Sequence, residues 1–270
     1  MDALYRRPVT SFVRRSPRMN DSQRAAWLRL GDRFLVEGLQ RGAMETLFTP
    51  QAPIDLAGLF GRDAPLLVEI GCGSGESLVA AAVARPEWNL LAFEVYDKVL
   101  ASTMSRLERA GAGNVRLVRG DAATGLEFLL QPGSANELHT YFPDPWHKSR
   151  HAKRRLINAD FVTLAASRLL PGGLWRLATD WDDYAAHIRA VFAEDSVAPL
   201  FEDATDAEPA GWVRPQTKFE ARARAAGRTV SEFVYRRTVV STGSTSSIRG
   251  SAGVSPATGR VAGSTDEEAA

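Results

Sequence analysis

The chain of 270 residues contains a single cysteine, Cys72, so it can form neither an internal disulfide nor a zinc site built from several thiolates. It has no run of eighteen apolar residues and no apolar signal-peptide core at its beginning, which predicts a cytoplasmic protein with no membrane partner. No internal repeat is visible. Apolar residues nevertheless make up 44% of the chain, enough for one sizeable domain or two small ones.

The net charge is only +1, but the charged residues are unevenly distributed along the chain. Residues 1–20 carry five arginines against one acid, and residues 148–155 carry five lysines and arginines. Residues 180–208 show the reverse, with nine acids and one arginine. This segregation predicts a basic face for an anionic partner, although ordinary surface charge explains either cluster alone about as well.

Composition divides the chain into three predicted segments. Residues 1–20 are expected to form a flexible basic arm, and residues 241–270 a disordered tail rich in Ser, Gly and Ala. Residues 21–240 form the predicted single domain, which begins with a helix near Asp21, capped by that carboxylate. The apolar side of this helix is predicted from Trp27, Leu28, Leu30, Phe34 and Leu35.

From Pro65 onward, short apolar runs alternate with helical stretches. Strands are predicted at residues 66–70, 89–95, 114–119, 138–142, 174–178 and 230–240, the last of them antiparallel at the end. Helices are predicted in the alanine-rich stretch before Pro86 and at residues 97–110, 122–130 and 154–170. Such alternation predicts an α/β fold with a mostly parallel sheet and helices on both of its faces.

A glycine-rich turn, with Gly71, Gly73 and Gly75, joins the first predicted strand to its helix. Glycines there let the backbone approach a ligand closely, although such turns also occur for packing reasons. The spacing is GxGxG and not the dinucleotide pattern GxGxxG, and Glu69 before the loop would repel a pyrophosphate. Both features argue against a nicotinamide enzyme.

Two further acids follow the next two predicted strands. Glu94 lies where a carboxylate can bind two ribose hydroxyls, and Asp121 lies where it can accept a hydrogen bond from an adenine amino group. Each acid alone is explained more simply as a helix cap or a solvated turn. Together with Glu69, they suit a ligand with a cationic amino acid portion, a ribose and an adenine, which describes S-adenosylmethionine.

The most informative segment is Pro143-Asp144-Pro145, which follows the fourth predicted strand and precedes the basic stretch of residues 148–155. Proline fixes its own φ and biases the preceding residue toward extended geometry, so Asp144 is predicted in a rigid turn. Ligands of open α/β sheets bind at such strand ends. A fixed acid beside a polycation indicates chemistry on a nucleic acid.

These residues resemble the bacterial tRNA (guanine-N7-)-methyltransferases over roughly residues 12–240. The most specific part is the run from Pro143 to Lys148, continued by Arg150-His151 and Lys153-Arg154-Arg155. The glycine loop, Ala178-Thr179-Asp180 and Thr217-Lys218-Phe219-Glu220 support it. The resemblance implies a Rossmann-like class I methyltransferase fold with a mostly parallel seven-stranded sheet. This sequence departs from the family pattern at Ser149, where a basic residue is more common, and in its added tail.

The resemblance also implies the reaction: transfer of a methyl group from S-adenosylmethionine to N7 of a variable-loop guanine of tRNA, expected at position 46, giving 7-methylguanosine. Asp144 would be the catalytic residue. The implied cofactor contacts are Glu69, Gly71, Gly73, Gly75, Glu94, Asp121 and Asp144. The implied substrate contacts are Lys148, Asp180, Thr217, Lys218, Phe219 and Glu220. The family implies no obligatory protein partner, and a monomer or homodimer.

Guanine N7 carries a lone pair and no proton at neutral pH, so Asp144 is expected to orient the base and stabilise charge without abstracting a proton. Contacts with RNA phosphates are predicted for Arg14, Arg15, Arg150, Lys153, Arg154 and Arg155. Cys72 lies in the glycine loop, on the cofactor side, which excludes the thiolate route of cytosine-C5 methyltransferases.

Several alternatives remain open from the sequence. Asp180 could instead cap a helix beginning at Trp181, and Trp146 could either stack on a base or belong to the core. His147 and His151 have a spacing that can bind metal, but their cationic surroundings predict no metal site. The rival functions are an amino-methyltransferase acting on adenine or on protein glutamine, and a non-catalytic RNA-binding subunit.

Overall fold

The computed structural model describes residues 18–205 and 214–239 of the chain. The chain divides into two units after Val239, and the second unit lies outside the described residues. The predicted tail and nearly all of the predicted arm, with Arg14 and Arg15, therefore fall outside them as well. Within the described part, no helix is long and apolar enough to cross a membrane.

Helices and strands alternate along most of the described chain. The helices are α1 (Asp21–Phe34), α2 (Leu56–Phe60), α3 (Glu76–Ala84), α4 (Asp97–Arg109), α5 (Ala122–Leu129), α6 (Ala159–Arg168), α7 (Asp182–Phe192) and α8 (Lys218–Ala225). The strands are β1 (Leu66–Ile70), β2 (Asn89–Glu94), β3 (Val115–Arg119), β4 (Ala135–Tyr141), β5 (Leu169–Thr179), β6 (Phe201–Asp203) and β7 (Ser231–Arg237). Short 3-10 turns occupy Ser149–Arg154 and Ala198–Leu200.

The strands form one seven-stranded sheet in the order β3-β2-β1-β4-β5-β7-β6. Strands β1 to β5 pair in parallel, and β7 pairs antiparallel with both β5 and β6. The mostly parallel sheet predicted from the sequence is confirmed. The last predicted strand is antiparallel but lies between β5 and β6, not at the end. The sequence missed β6 because three residues are too few to show a strand pattern.

Helices cover both faces of the sheet. Within β1, Leu66, Val68 and Ile70 belong to one buried cluster, while Leu67 belongs to another. The first cluster includes residues of α5, α6 and α7, and the second includes residues of α1, α3 and α4. Because side chains of a strand alternate between its faces, β1 is buried on both sides, as a central parallel strand must be.

Helix α1 starts where the sequence predicts, but its cap is Asn20 and not Asp21. Asn20 Oδ1 accepts a hydrogen bond from the Gln23 backbone N–H at 2.8 Å, and the Gln23 side chain accepts one from the Asn20 N–H, which completes a capping box. The predicted apolar side is also partly wrong, since Leu28 is 78% exposed. The buried stripe repeats every four residues instead, at Ala26, Leu30 and Phe34.

The helix predicted at residues 154–170 is shorter than expected. Asn158 caps α6 by accepting from the Phe161 N–H at 3.0 Å, so the helix starts five residues later.

Strand β5 then begins at Leu169, which pairs with Ala135 of β4, and the register shifts between Ala135 and Glu137. The Pro171-Gly172-Gly173 sequence lies within this irregular strand. Strand β4 ends at Tyr141 because Phe142 adopts φ of +53°, outside the extended region.

Candidate active site

A cleft of about 460 Å³ opens at the carboxyl ends of β1, β2, β3 and β4, where an open α/β sheet binds its ligands. Its walls bring together nine of the predicted site residues: Glu69, Gly71, Gly73, Glu94, Asp121, Asp144, Thr217, Lys218 and Phe219. The last three come from the start of α8, which sequence patterns alone did not distinguish from a surface loop. Residues from five separate segments therefore meet at one concave site.

The three glycines of the loop have two different roles. Gly71, Gly73 and Gly75 all have positive φ, at +73°, +53° and +77°. A Cβ added to Gly71 or Gly73 would meet no atom within 4 Å, whereas one added to Gly75 would lie 2.6 Å from Thr103 Cγ2. Gly75 caps α3 and does not line the cleft. The first two glycines thus leave space for a ligand, and the third permits close packing.

Glu69 is buried at the end of β1, with 3% of its surface exposed. Its Oε2 atom has no hydrogen-bond partner among the described residues. Burial raises the pKa of this carboxyl to about 8. A buried carboxyl group with an unpartnered oxygen facing a cleft fits a ligand whose cationic, hydrogen-donating group would favour the ionised form.

The other two strand-end acids are held by local hydrogen bonds. Glu94 accepts from the backbone N–H groups of Gly73 at 3.1 Å, Val95 at 2.7 Å and Tyr96 at 3.1 Å, which ties β2 to the glycine loop. Asp121 caps α5 by accepting from the Thr124 N–H at 3.0 Å, and burial raises the pKa of its carboxyl. Asp121 is therefore a helix cap, and it also lines the cleft, where its predicted contact with an adenine amino group stays a prediction.

The turn that carries Asp144 is bounded by two aromatic residues in the left-handed region, Phe142 at φ +53° and Trp146 at φ +46°. Such conformations cost about 1 kcal/mol or more each in a residue other than glycine, so the surroundings must impose them. The Phe142 N–H donates to the Ala178 carbonyl oxygen at 2.8 Å, and the Arg214 guanidinium lies 5.3 Å from the Phe142 ring.

The surroundings of Arg155 differ from those that the sequence predicts. It is buried, its Nε donates to the Pro145 carbonyl oxygen at 3.1 Å, and its guanidinium forms an ion pair with Asp183. The same group lies over the Tyr184 ring at 5.1 Å. These contacts turn the Arg155 side chain toward the protein and leave it little access to an RNA phosphate, which argues against the predicted RNA contact.

The rest of the basic stretch is accessible. Lys148, Arg150 and Lys153 are exposed, and Arg154 is partly exposed with its guanidinium 4.8 Å from the Trp146 ring. Trp146 is half-buried, so it belongs fully to neither the core nor the surface. His151 packs edge-on against Trp146. Among the described residues, no group of three or more His, Cys, Asp or Glu side chains could hold a metal ion.

Asp180 and Glu220 do not line the cleft. Asp180 pairs with Arg228 at 2.8 Å, and the N-cap position of α7 is Trp181, so the helix-cap alternative for Asp180 is wrong. Glu220 is buried and pairs with Arg214 at 2.8 Å and with Arg224 at 2.7 Å. Burial alone would raise the pKa of Glu220, but these two arginines outweigh it and lower that pKa.

Among the cleft residues that the sequence did not single out, Gln23 and Glu76 are polar groups contributed by helices. Gln23 reaches the cleft from α1 and donates to the Lys98 carbonyl oxygen at 3.0 Å and to Ser102 Oγ at 3.1 Å. Glu76 lines the cleft at the start of α3. Both lie in the first turn of a helix, where polar and acidic side chains are too common to signal a site.

The sheet order, the glycine loop and the strand-end acids define a class I S-adenosylmethionine-dependent methyltransferase. A solved 16S rRNA (adenine(1408)-N(1))-methyltransferase variant from Catenulisporales acidiphilia has this fold, with a TM-score of 0.50 and 20% identity over 76% of this chain and 99% of that one. Residues 63–233 match a protein-family model described as "Putative methyltransferase".

Relatives with assigned names identify the particular methyltransferase family. The chain is 47% identical to a tRNA (guanine-N(7)-)-methyltransferase of Cutibacterium acnes, over 86% of this chain and 84% of that protein. It is 43% identical to the protein of the same name from Nocardioides sp., over 87% of this chain and 90% of that protein. The chain belongs to the family of bacterial tRNA (guanine-N7-)-methyltransferases, and the resemblance seen in the sequence is confirmed.

Proposed function

We propose that this chain transfers a methyl group from S-adenosylmethionine to N7 of a variable-loop guanine of tRNA, expected at position 46. The observation that carries the proposal is one cleft lined by the buried Glu69 carboxylate, by Glu94 and Asp121, and by the Asp144 turn. The relatives are named tRNA (guanine-N(7)-)-methyltransferases, and the exposed basic stretch beside Asp144 suits a phosphate backbone.

The described residues fit the cofactor portion by portion. Glu69 would accept from the ammonium group of the methionine portion, Glu94 from the ribose hydroxyls and Asp121 from the adenine amino group. Gly71 and Gly73 leave the space in which the ligand backbone would lie. When bound, S-adenosylmethionine supplies an electrophilic methyl group on its sulfonium.

The chain's contribution to the reaction is positioning. Guanine N7 needs no deprotonation, so we assign Asp144 the role of accepting from the N1–H and N2–H₂ groups of the base. Held between two prolines, its carboxylate would fix the ring and offset the positive charge that develops on it. A turn already fixed in this conformation needs no reorganisation when the base arrives.

The substrate would extend from the cleft over the basic stretch. We assign phosphate contacts to Lys148, Arg150, Lys153 and Arg154, together with Arg14 and Arg15 of the arm. Thr217, Lys218 and Phe219 would contact the nucleotide from the start of α8. Asp180 and Glu220 would reach the guanine only by exchanging their arginine partners, so we assign both the role of holding those arginines.

We further propose that the chain acts in the cytoplasm, where its tRNA substrate is found, and that it needs no obligatory protein partner, as a monomer or homodimer. An assay on the purified chain tests the second point directly. Full activity of the chain alone supports it. Activity that appears only after a second protein is added contradicts it.

The test of the proposed function is transfer of labelled methyl to unmodified tRNA, mapped by borohydride and aniline cleavage, which cuts at 7-methylguanosine. We expect one cleavage in the variable loop. A tRNA with that guanine changed to adenine serves as the matched control and should accept no label. Label incorporated without cleavage would mean another target atom, and cleavage elsewhere would mean another position.

A further inference from the structure

The Asp144 turn is held differently at its two ends. At its beginning, the Phe142 N–H is paired with β5, and Arg214 lies against the Tyr141 and Phe142 rings. At its end, the Pro145 carbonyl oxygen accepts from Arg155 Nε at 3.1 Å, just before Trp146 enters the left-handed region. The second end is therefore fixed by a side chain ten residues further along the chain and not by a strand.

Arg155 is itself fixed on three sides. Its side chain is 8% exposed, its guanidinium forms an ion pair with Asp183 at the start of α7, and it lies 5.1 Å from the Tyr184 ring. Tyr184 is completely buried and accepts from the Ile157 N–H at 3.3 Å. The guanidinium thus connects the Asp144 turn to the first turn of α7, through the exposed Asp183 carboxylate and the buried Tyr184 ring.

We propose that Arg155 is a positioning residue for methyl transfer, which holds the Pro143-Asp144-Pro145 turn in place by anchoring Pro145 to α7. This inference rests on the proposed role of Asp144. A planar guanidinium can donate from Nε to the carbonyl oxygen and from Nη2 to the carboxylate at the same time. A lysine at this position has a single nitrogen and cannot reproduce that pair of directions.

Two adjacent arginines would therefore have different roles. Arg154 is partly exposed and stacks on Trp146, so it can serve the RNA. Arg155 is buried and can act only through the turn. Loss of Arg155 should therefore affect the rate of the bound complex, whereas loss of Arg154 should affect formation of that complex.

The experiment compares Arg155→Lys, Arg155→Met and Asp183→Asn with Arg154→Ala and Asp144→Ala, with rates expressed per cofactor-binding site titrated by calorimetry. We expect Arg155→Lys to lower kcat by about tenfold to a hundredfold, the effect of displacing a reacting group by a fraction of an ångström to one ångström. Its KM for tRNA and its salt dependence should stay near those of the wild type. Arg154→Ala should show the opposite pattern.

Asp183→Asn covers the case in which the Arg155 variants do not fold, because it keeps Arg155 and weakens only its anchor. We expect its kcat to fall severalfold with KM for tRNA unchanged. An unchanged kcat per binding site in the variants that fold, even with a lowered Tm, would overturn the inference, because Arg155 would then only stabilise the fold. A raised KM with a reduced salt dependence in Arg155→Lys would also overturn it and restore the RNA contact.

Asp144→Ala separates the two claims. If Asp144→Ala is inactive and Arg155→Lys has a normal kcat, the inference fails while the proposed function stands. If Asp144→Ala keeps normal activity, the proposed role of Asp144 fails, and the inference fails with it. Inactive Asp144→Ala together with the predicted loss of kcat in Arg155→Lys supports both.

Discussion

The carboxylate of Glu76 accepts a hydrogen bond from the backbone N–H of Lys218, with 2.6 Å between Oε2 and N, although 142 residues separate the two in sequence. Glu76 lies in the first turn of α3, directly after the glycine loop, and Lys218 opens α8. Arg106 faces the other carboxylate oxygen at 3.5 Å. One side chain therefore joins the cofactor side of the cleft to the segment assigned to the nucleotide.

Removal of this link should weaken tRNA binding more than cofactor binding. A hydrogen bond to a charged, partly exposed group contributes about 1 kcal/mol, which corresponds to about a fivefold change in affinity. We therefore expect Glu76→Ala to raise KM for tRNA about fivefold, and Glu76→Gln, which keeps an acceptor, to raise it less. Steady-state kinetics together with cofactor calorimetry measure both effects. Equal losses of tRNA and cofactor affinity in Glu76→Ala would contradict the assignment.

Glu69 should couple cofactor binding to proton release. Because its pKa in the folded protein, about 8, lies above the ordinary value of 4.5, the carboxyl is mostly protonated at pH 7. A cationic ligand group favours the ionised form, so binding should release about one proton. Calorimetry in two buffers of different ionisation enthalpy measures this number. Glu69→Gln is the matched control, and equal proton release by both proteins would contradict the role of Glu69.

The same carboxyl should make the apoprotein less stable at higher pH. The folded chain keeps a proton that the unfolded chain has released, so the free energy of unfolding falls as pH rises from about 4.5 to about 8. Glu69→Gln removes the ionising group and should reduce this fall. Urea unfolding at a series of pH values measures it, and identical pH profiles for the two proteins would contradict the raised pKa.

Alanine substitutions at two glycines of the same loop should lower different properties, stability at Gly75 and cofactor affinity at Gly71. Gly75→Ala places a Cβ 2.6 Å from Thr103 Cγ2 at φ +77°, and we expect it to lower the free energy of unfolding by about 2 kcal/mol or more. Gly71→Ala meets only open space and should lose about 1 kcal/mol of stability, but its methyl group enters the cleft and should weaken cofactor binding about tenfold. Denaturant unfolding and calorimetry distinguish the two. Normal cofactor affinity in Gly71→Ala would contradict this account of the loop.

Neutralising the exposed basic stretch should flatten the salt dependence of tRNA binding. Removing one cationic partner of a single-stranded phosphate lowers the slope of log affinity against log salt by about 0.7, so a Lys148→Gln, Arg150→Gln, Lys153→Gln triple variant should lower it by about 2. Binding titrations across a salt series measure this slope. Arg109→Gln is the control, because Arg109 is exposed at the end of α4, away from the cleft. Equal slopes for the triple variant and the control would exclude the basic stretch from the RNA interface.

The sequence predicted best what depends on local pattern. Strands β1, β2 and β3 and helix α4 were correct to within one residue, and α3 ends before Pro86 as predicted, since their apolar runs and turns are short-range signals. Glu69, Glu94 and Asp121 could be grouped because parallel strands of one sheet end at the same edge. No side-chain contact had to be known for either inference.

Predictions from the sequence failed where packing between distant segments determines the position of a residue. Nothing in the basic stretch distinguishes Arg154 from Arg155, because the burial of Arg155 depends on Asp183 and Tyr184, which follow another strand. The start of α6 was misplaced because Asn158 caps a helix that the apolar pattern extended backward. The link between Glu76 and Lys218 joins segments that no local pattern relates.

The most direct test of the account is the single-turnover rate of methyl transfer by Asp144→Asn and Asp144→Ala, at saturating cofactor and tRNA, beside the wild type. Asparagine keeps the size of the side chain and one acceptor oxygen but removes the charge. If Asp144 orients the base and stabilises its developing charge, the rate should fall about a hundredfold or more in both variants, with the larger loss in Asp144→Ala. A near-normal rate in Asp144→Ala would contradict the account, because the turn would then carry no essential group.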